Sequence, residues 1–222
     1  MGAHEFFLDP AKKAIRDAVA RVERQTSAEV VVSIRRQSGS YRHADTLWGI
    51  ALSFVLLCVF LYHPEPFDFT YLPVELAVAF ALGSVLSASF VPLRRAFVSR
   101  TLREENAKRA AKAAFVDLGI SRTRSRAGIL VFVAAFEERV EVIADVGIHP
   151  KKLGPAWEEA LQKLDRAFRL DGSLELFLGA VEALGPVLAK EHPRAHDDEN
   201  ELSDEMDDES VTSSPASQEE AR

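Results

Sequence analysis

Two carboxylates stand at the ends of predicted strands, where an α/β sheet commonly meets its ligands. Asp145 follows the apolar run 140–144 and precedes Gly147, and Glu29 opens the run 29–34. Strand ends in open α/β sheets border ligand crevices. Calcium needs about six to eight oxygen ligands, so Asp145 and Glu29 could begin a calcium or magnesium site only if their strands are neighbours. The alternative is that Asp145 stabilises the following loop through an Asx-turn.

Nearby basic side chains offer a different chemistry. His149, which precedes Pro150, could serve as a general base or a metal ligand, or it could be a partly exposed turn residue. Arg122, Arg124 and Arg126 recur at every second position and could surround a phosphate group. Alternatively, this run is a solvated loop or touches lipid headgroups.

The motifs of familiar hydrolases are missing from the sequence. Cys58 is the only cysteine and lies inside an apolar run, which excludes an intrachain disulfide and a thiolate metal cluster. The chain has no Gly-x-Ser-x-Gly turn and no His-Glu-x-x-His motif. Whether the chain is an enzyme therefore stays an open question, and its catalytic residues are unknown.

The elements that would position these residues alternate between helix and strand. The nine uncharged residues 128–136 predict a central strand that is covered on both faces, and Gly119 is the expected C′ residue of the preceding helix. The pattern predicts helices at 10–25, 100–118, 154–168 and 174–191, and strands at 29–34, 128–136 and 140–145. The predicted fold is a small α/β sandwich, α-β-α-β-β-α-α, interrupted after its first strand.

The interruption consists of two apolar runs that predict a transmembrane hairpin. Residues 47–62 contain no charge, and residues 71–93 contain only Glu75. A bilayer core of about 30 Å needs about 20 apolar helical residues, so we predict spans at about 44–62 and 71–93. The alternative is a pair of core helices in a soluble domain. Glu75 lies close enough to the end of its run to reach the interface.

Charges beside the runs predict the orientation of the hairpin. Seven arginines flank it, namely Arg35, Arg36, Arg42, Arg94, Arg95, Arg100 and Arg103, whereas the loop 63–70 has neither Lys nor Arg. The positive-inside rule then places the loop outside and the globular domain in the cytoplasm. We expect an integral protein of a bacterial inner membrane, with the lipid bilayer and possibly a membrane protein as partners.

The net charge of −7 comes from the C-terminal tail. Residues 194–222 hold 11 acidic and two basic residues, and the remaining 25 basic and 23 acidic residues nearly cancel. This distribution does not predict nucleic-acid binding. The tail is acidic, Ser-rich and poor in large apolar groups, so it is predicted to be disordered.

Several segments of the globular part resemble the TPM domain family, found in thylakoid-lumen, photosystem-associated and bacterial envelope proteins. They are 115–120 (FVDLGI), Thr123, 127–132 (AGILVF), 140–149 (VEVIADVGIH), Trp157, Phe168, His192 and Pro193, with 9–34 resembling the family's opening helix and strand. The resemblance implies a four-stranded α/β sandwich. Some members are described as acid phosphatases, and others bind a divalent cation in a carboxylate-lined cleft. This chain departs from the family in its basic segment 122–126 and in its predicted cytoplasmic location.

These observations predict four regions: the first part of a TPM-like domain at 1–43, the hairpin at 44–93, the second part of the domain at 94–193 and the tail at 194–222. We expect a membrane-anchored binding or assembly module. The alternative is a divalent-metal-assisted phosphatase at the cytoplasmic membrane face.

Overall fold

The computed structural model describes residues 3–63, 69–171, 173–194 and 207–208. The chain forms two compact units, one comprising residues 1–38 and 105–222 and the other residues 39–104. The second unit is therefore wider than the predicted hairpin at 44–93. Its C-terminal boundary falls inside a helix and not at the end of the second apolar run.

The described helices and strands follow the predicted order. In the sequence they are α1 (Asp9–Glu23), β1 (Glu29–Arg35), α2 (Arg42–Tyr62), α3 (Leu72–Ser89), α4 (Val91–Ala96), α5 (Arg100–Asp117), β2 (Gly128–Ala134), β3 (Arg139–Ala144), α6 (Pro150–Leu153), α7 (Pro155–Arg166), α8 (Leu174–Glu182), α9 (Leu184–Leu188) and β4 (Asp207–Asp208). The mixed α/β fold confirms the coarse prediction. Helix α6 was not predicted and lies between the predicted strand at 140–145 and the predicted helix at 154–168, where Pro150 supplies a suitable first helical residue.

The sheet has the strand order β3-β2-β1-β4. Strand β1 pairs with β2 in parallel, from Glu29 opposite Gly128 to Arg35 opposite Ala134. Strands β2 and β3 pair antiparallel as a β-hairpin. The two-residue strand β4 pairs in parallel with Ser33 and Ile34. It belongs to the tail predicted to be disordered, and most of that tail lies outside the described residues.

Alternation along the strands produces an apolar layer on each face of the sheet. One layer joins Val30, Val32 and Ile129 to side chains of α1, α7, α8 and α9, and it includes Trp157. The other joins Val31 and Leu130 to small residues of α5. Strand β2 is buried along its whole length, which confirms the prediction from its uninterrupted apolar sequence.

The unit at 39–104 is built on an antiparallel pair formed by α2 and α3. Both helices are long and apolar enough to cross a membrane. They approach closely where Gly83 meets Gly49, since a Cβ atom added at Gly83 would lie 2.6 Å from the carbonyl oxygen of Trp48. Small residues at such positions allow two helix backbones to pack directly.

Polar contacts hold one end of this helix pair together. Arg94 donates from Nε and Nη2 to the two carboxylate oxygens of Asp45, at 2.9 and 2.8 Å. The Ser87 hydroxyl also donates to Asp45, and the Trp48 indole donates to the carbonyl of Leu93 at 2.6 Å. These contacts connect α2 to the C-terminal end of α3 and to α4.

Candidate functional site

The candidate site lies at the end of the sheet where β1 and β2 begin and β3 ends. Three loops meet there: residues 118–127 before β2, residues 145–149 after β3, and residues 189–194 after α9. A backbone hydrogen bond from the Gly147 N–H to the Arg126 carbonyl connects the first two loops, and one from the Ser27 N–H to the His192 carbonyl connects the third to the segment before β1. The sequence-predicted residues of the globular domain gather at this end of the sheet.

Asp145 is held by a bidentate ion pair. Arg126 donates to it from Nε and Nη2, at 2.7 and 3.0 Å. The Val146 N–H also donates to the Asp145 carboxylate, at 2.8 Å. The Asp145 side chain is only 3% exposed, and both of its oxygens are used. This arrangement agrees with the loop-stabilising interpretation of Asp145.

Glu29 shares a row of the sheet with Asp145 but is not its neighbour. Glu29 pairs with Gly128 on one side, and the Asp145 N–H donates to the Gly128 carbonyl on the other. Because strand spacing is about 4.8 Å, the two acidic residues are about 10 Å apart across β2. Ile120 occupies the space above Gly128, where an added Cβ atom would meet Ile120 at 2.5 Å.

These contacts do not suit the predicted cation site. The condition for a shared site was that the strands of Glu29 and Asp145 be neighbours, and β2 separates them. In the described part of the chain, no group of three or more His, Cys, Asp or Glu side chains is placed to hold a metal ion. Both Asp145 carboxylate oxygens already accept hydrogen bonds from the Arg126 guanidinium. The residues at this end of the sheet therefore do not fit a calcium or magnesium ion.

In the basic loop 122–126, Arg126 forms a specific ion pair with Asp145. Arg126 is half-exposed and adopts a φ of 53°, a left-handed conformation that is uncommon for a residue other than glycine. The close approach of Gly147, where an added Cβ would lie 2.5 Å from the Arg126 carbonyl oxygen, accompanies this conformation. Of the three arginines proposed to surround a phosphate, Arg126 is thus engaged by Asp145.

A second cluster, which the sequence did not reveal, joins His149 to Glu191. His149 Nδ1 lies 2.7 Å from Glu191 Oε1, and the His149 N–H donates to Oε2 at 3.1 Å. Lys152 Nζ lies 3.1 Å from Oε1. His192 Nε2 lies 3.2 Å from the Gly147 carbonyl oxygen, and the Thr26 hydroxyl donates to the His192 carbonyl at 2.6 Å.

The cluster lowers the pKa of Glu191. Burial acts in the opposite direction and is the largest influence, but the Lys152 ammonium and the His149 N–H together outweigh it. Glu191 is therefore poised to remain charged beside the imidazole. A neutral imidazole that donates from Nδ1 keeps its lone pair on Nε2, and the His149 side chain is half-exposed. A carboxylate-oriented imidazole of this kind is the arrangement that general bases use.

The sequence offered His149 as a candidate but contained no signal for its partner. Glu191 lies 42 residues further along the chain, and a single Glu after a helix forms no spacing pattern with a distant His. The His192-Pro193 pair was noted only through the family resemblance. Its position beside Glu191 at the junction of β1 and the 145–149 loop emerges from the fold.

No protein-family model matches the chain, and a comparison with curated proteins gives no match. Among solved structures, the chain is similar to the NMR structure of the BA42 protein from the psychrophilic bacterium Bizionia argentinensis sp. nov.. The two share 16% sequence identity with a TM-score of 0.55, over 91% of this chain and 95% of that chain. This likeness concerns the fold alone.

Proposed function

We propose that this chain is a membrane-anchored, TPM-type binding or assembly module. The helices α2 and α3 form the anchor, and the α/β unit is the part that meets partners at the membrane face. The observation that carries the proposal is the exposure of the two helices. Only 11% and 17% of their most apolar windows are buried, whereas core helices of soluble proteins are mostly buried.

The exposed side chains are of the kind that lipid accommodates. Phe54 is 63% exposed, Val74 62% and Val85 61%. Exposing such side chains to water would forgo about 25 cal/mol for each Å² of apolar surface. A bilayer removes that cost.

The charges at the ends of the helix pair support the proposed orientation. The Asp45–Arg94 ion pair and the Trp48 indole lie at the same end as the flanking arginines. Indoles and basic residues favour the membrane interface, and basic residues favour its cytoplasmic side. The α/β unit then belongs to the cytoplasmic face of a bacterial inner membrane, with lipid and a membrane protein as its partners.

Site-directed labelling tests both the anchor and its orientation. In a Cys58→Ala background, a cysteine is placed at Thr70 or at Ser125, both of which are exposed. We expect an impermeant maleimide to label Thr70→Cys in intact cells and Ser125→Cys only after the cells are opened. The Cys58→Ala chain without a new cysteine is the control. The reverse labelling would overturn the orientation, and release of the chain from membranes by alkaline carbonate would overturn the anchor.

The His149–Glu191 pair favours one alternative, a phosphatase-like hydrolase at the membrane face. In that case His149 Nε2 would accept the proton of an attacking water, with Glu191 holding the ring. The purified full chain is assayed with a generic phosphomonoester, with and without calcium or magnesium. Hydrolysis abolished by His149→Gln would support the enzyme, and its absence under both conditions would favour the binding module.

A further inference from the structure

An apolar groove of about 560 Å³ runs along one side of the helix pair. On α2 its wall is formed by Leu52, Val55, Leu56 and Val59. These residues recur at i, i+3, i+4 and i+7, which is one continuous face of a helix. At 1.5 Å per residue, the wall extends for about 10 Å along the axis.

The opposite wall of the groove belongs to α3. Val74, Val78 and Leu82 line it at four-residue intervals. They are 62%, 51% and 54% exposed, respectively. Two rows of partly or largely exposed apolar side chains with a trough between them have the shape that receives the ridge of a third helix.

A single carboxylic acid interrupts this apolar surface. Glu75 is the fourth residue of α3 and lines the groove among side chains that are otherwise all apolar. Its Oε2 atom is buried and has no hydrogen-bond partner in the part of the chain that the structure describes. An occupant of the groove would also cover the rest of this carboxyl group, and desolvating a carboxyl group without a partner is costly, so the occupant should supply a donor.

We propose that this groove binds a transmembrane helix of another protein that carries a basic side chain about one turn from its end. The inference rests on the proposed membrane anchor and names the partner of that anchor. The apolar rows supply packing, and Glu75 supplies the specificity, because an ionisable group inside a membrane is matched by an opposite charge. Such a helix satisfies the shape and the charge of the groove together.

Charge argues against a second copy of this chain as the occupant. A symmetric pair would bring two Glu75 carboxylates to one groove, and like charges in a low-dielectric site oppose each other. A lipid tail would fill the apolar rows but carries no hydrogen-bond donor for Glu75.

The test uses the full chain in phosphatidylcholine vesicles together with synthetic helices. The chain carries a donor dye at Thr70→Cys in the Cys58→Ala background. The acceptor-labelled peptides are Leu/Ala-rich helices of about 21 residues, with Lys, Leu or Glu at the fifth position from the end. We expect the Lys peptide to associate about tenfold more tightly than the Leu peptide, the scale on which polar contacts act between membrane helices.

Matched variants separate the charge from the shape. Glu75→Gln should reduce binding of the Lys peptide to the level of the Leu peptide, and Glu75→Lys should reverse the preference towards the Glu peptide. Val78→Trp fills the groove and should weaken binding of every peptide. Val85→Trp is the control, because Val85 is at least as exposed on α3 as Val78 but does not line the groove.

Vesicle integration is measured separately by flotation and alkaline extraction. A chain that fails to integrate overturns the proposed anchor, and this inference with it. If the chain integrates, equal binding of the Lys and Leu peptides would overturn the inference alone. Energy transfer between two differently labelled copies, which excess Lys peptide does not displace, would assign the groove to self-association and would also overturn it.

Discussion

Arg126 and Asp145 form a bidentate ion pair in which the two partners differ sharply in burial. The Asp145 side chain is 3% exposed, whereas that of Arg126 is 51% exposed. The pair closes the loop before β2 onto the loop after β3. Because of this asymmetry, removing Arg126 leaves a buried charge, whereas neutralising Asp145 leaves a half-exposed one. The two losses of stability can be compared by measurement.

Removing the guanidinium should cost more stability than removing the charge of the carboxylate. Arg126→Gln leaves a buried carboxylate with the Val146 N–H as its remaining donor, and we expect a loss of about 2–3 kcal/mol. Asp145→Asn leaves a half-exposed arginine that water can solvate and keeps an acceptor oxygen for the turn, so the loss should be about 1 kcal/mol. Trp157 fluorescence during urea unfolding of the detergent-solubilised chain, in a Trp48→Phe background, reports both values. Equal losses would contradict the asymmetry.

Adding calcium or magnesium should leave the melting temperature unchanged. Both Asp145 oxygens are occupied, and Glu29 lies beyond β2. A cation bound to the native state at a hundredfold excess over its dissociation constant would stabilise the chain by about 2.7 kcal/mol, which thermal unfolding detects easily. A rise that Asp145→Asn abolishes would restore the cation-site hypothesis, and Glu158→Gln on the exposed side of α7 is the control.

Two glutamates should respond to pH with opposite signs. The pKa of Glu191 is lowered from 4.5, because Lys152 and the His149 N–H outweigh the effect of burial. Its contribution to stability is present above pH 4.5 and is lost as the pH falls through the lower folded-state pKa. Glu191→Gln should therefore destabilise the chain at pH 7, by about 1 kcal/mol after allowance for solvent.

Glu141 on β3 supplies the comparison. Burial raises its pKa above 4.5, more than Lys108 and Arg139 lower it. The folded state is favoured below pH 4.5 and loses that advantage as the pH rises through the raised pKa. Glu141→Gln should consequently stabilise the chain slightly at pH 7. Urea unfolding of both variants between pH 4 and pH 8 checks the signs, and a shared sign would contradict the electrostatic account.

The contact between α2 and α3 at Gly83 should not tolerate an added methyl group. A Cβ atom there would lie 2.6 Å from the Trp48 carbonyl oxygen and 3.0 Å from the Gly49 Cα. We expect Gly83→Ala to cost about 1–3 kcal/mol through overpacking, seen as faster amide hydrogen exchange in α2 by mass spectrometry. Gly179 in α8 has open space around it, so Gly179→Ala should leave exchange in α2 unchanged and slow exchange in α8, because alanine favours the helix.

Local patterns in the sequence were sufficient to predict the main helices and strands. The uncharged run of β2 predicted a strand buried on both faces, and the two apolar runs predicted the long helices α2 and α3. Gly119, with a φ of 66°, ends α5 as expected from its position. These features depend on period, length and the conformational freedom of single residues, all of which are properties of neighbouring positions in the chain.

Only the tertiary structure decided how the candidate residues meet. Glu29 and Asp145 were both predicted at strand ends, but strand order put β2 between them, and spacing in the sequence carries no information on that order. Asp145 pairs with Arg126, and His149 pairs with Glu191, which lies 42 residues further along the chain. Such contacts depend on how α7, α8 and α9 return the chain to the start of β1, which is the outcome of packing the whole core.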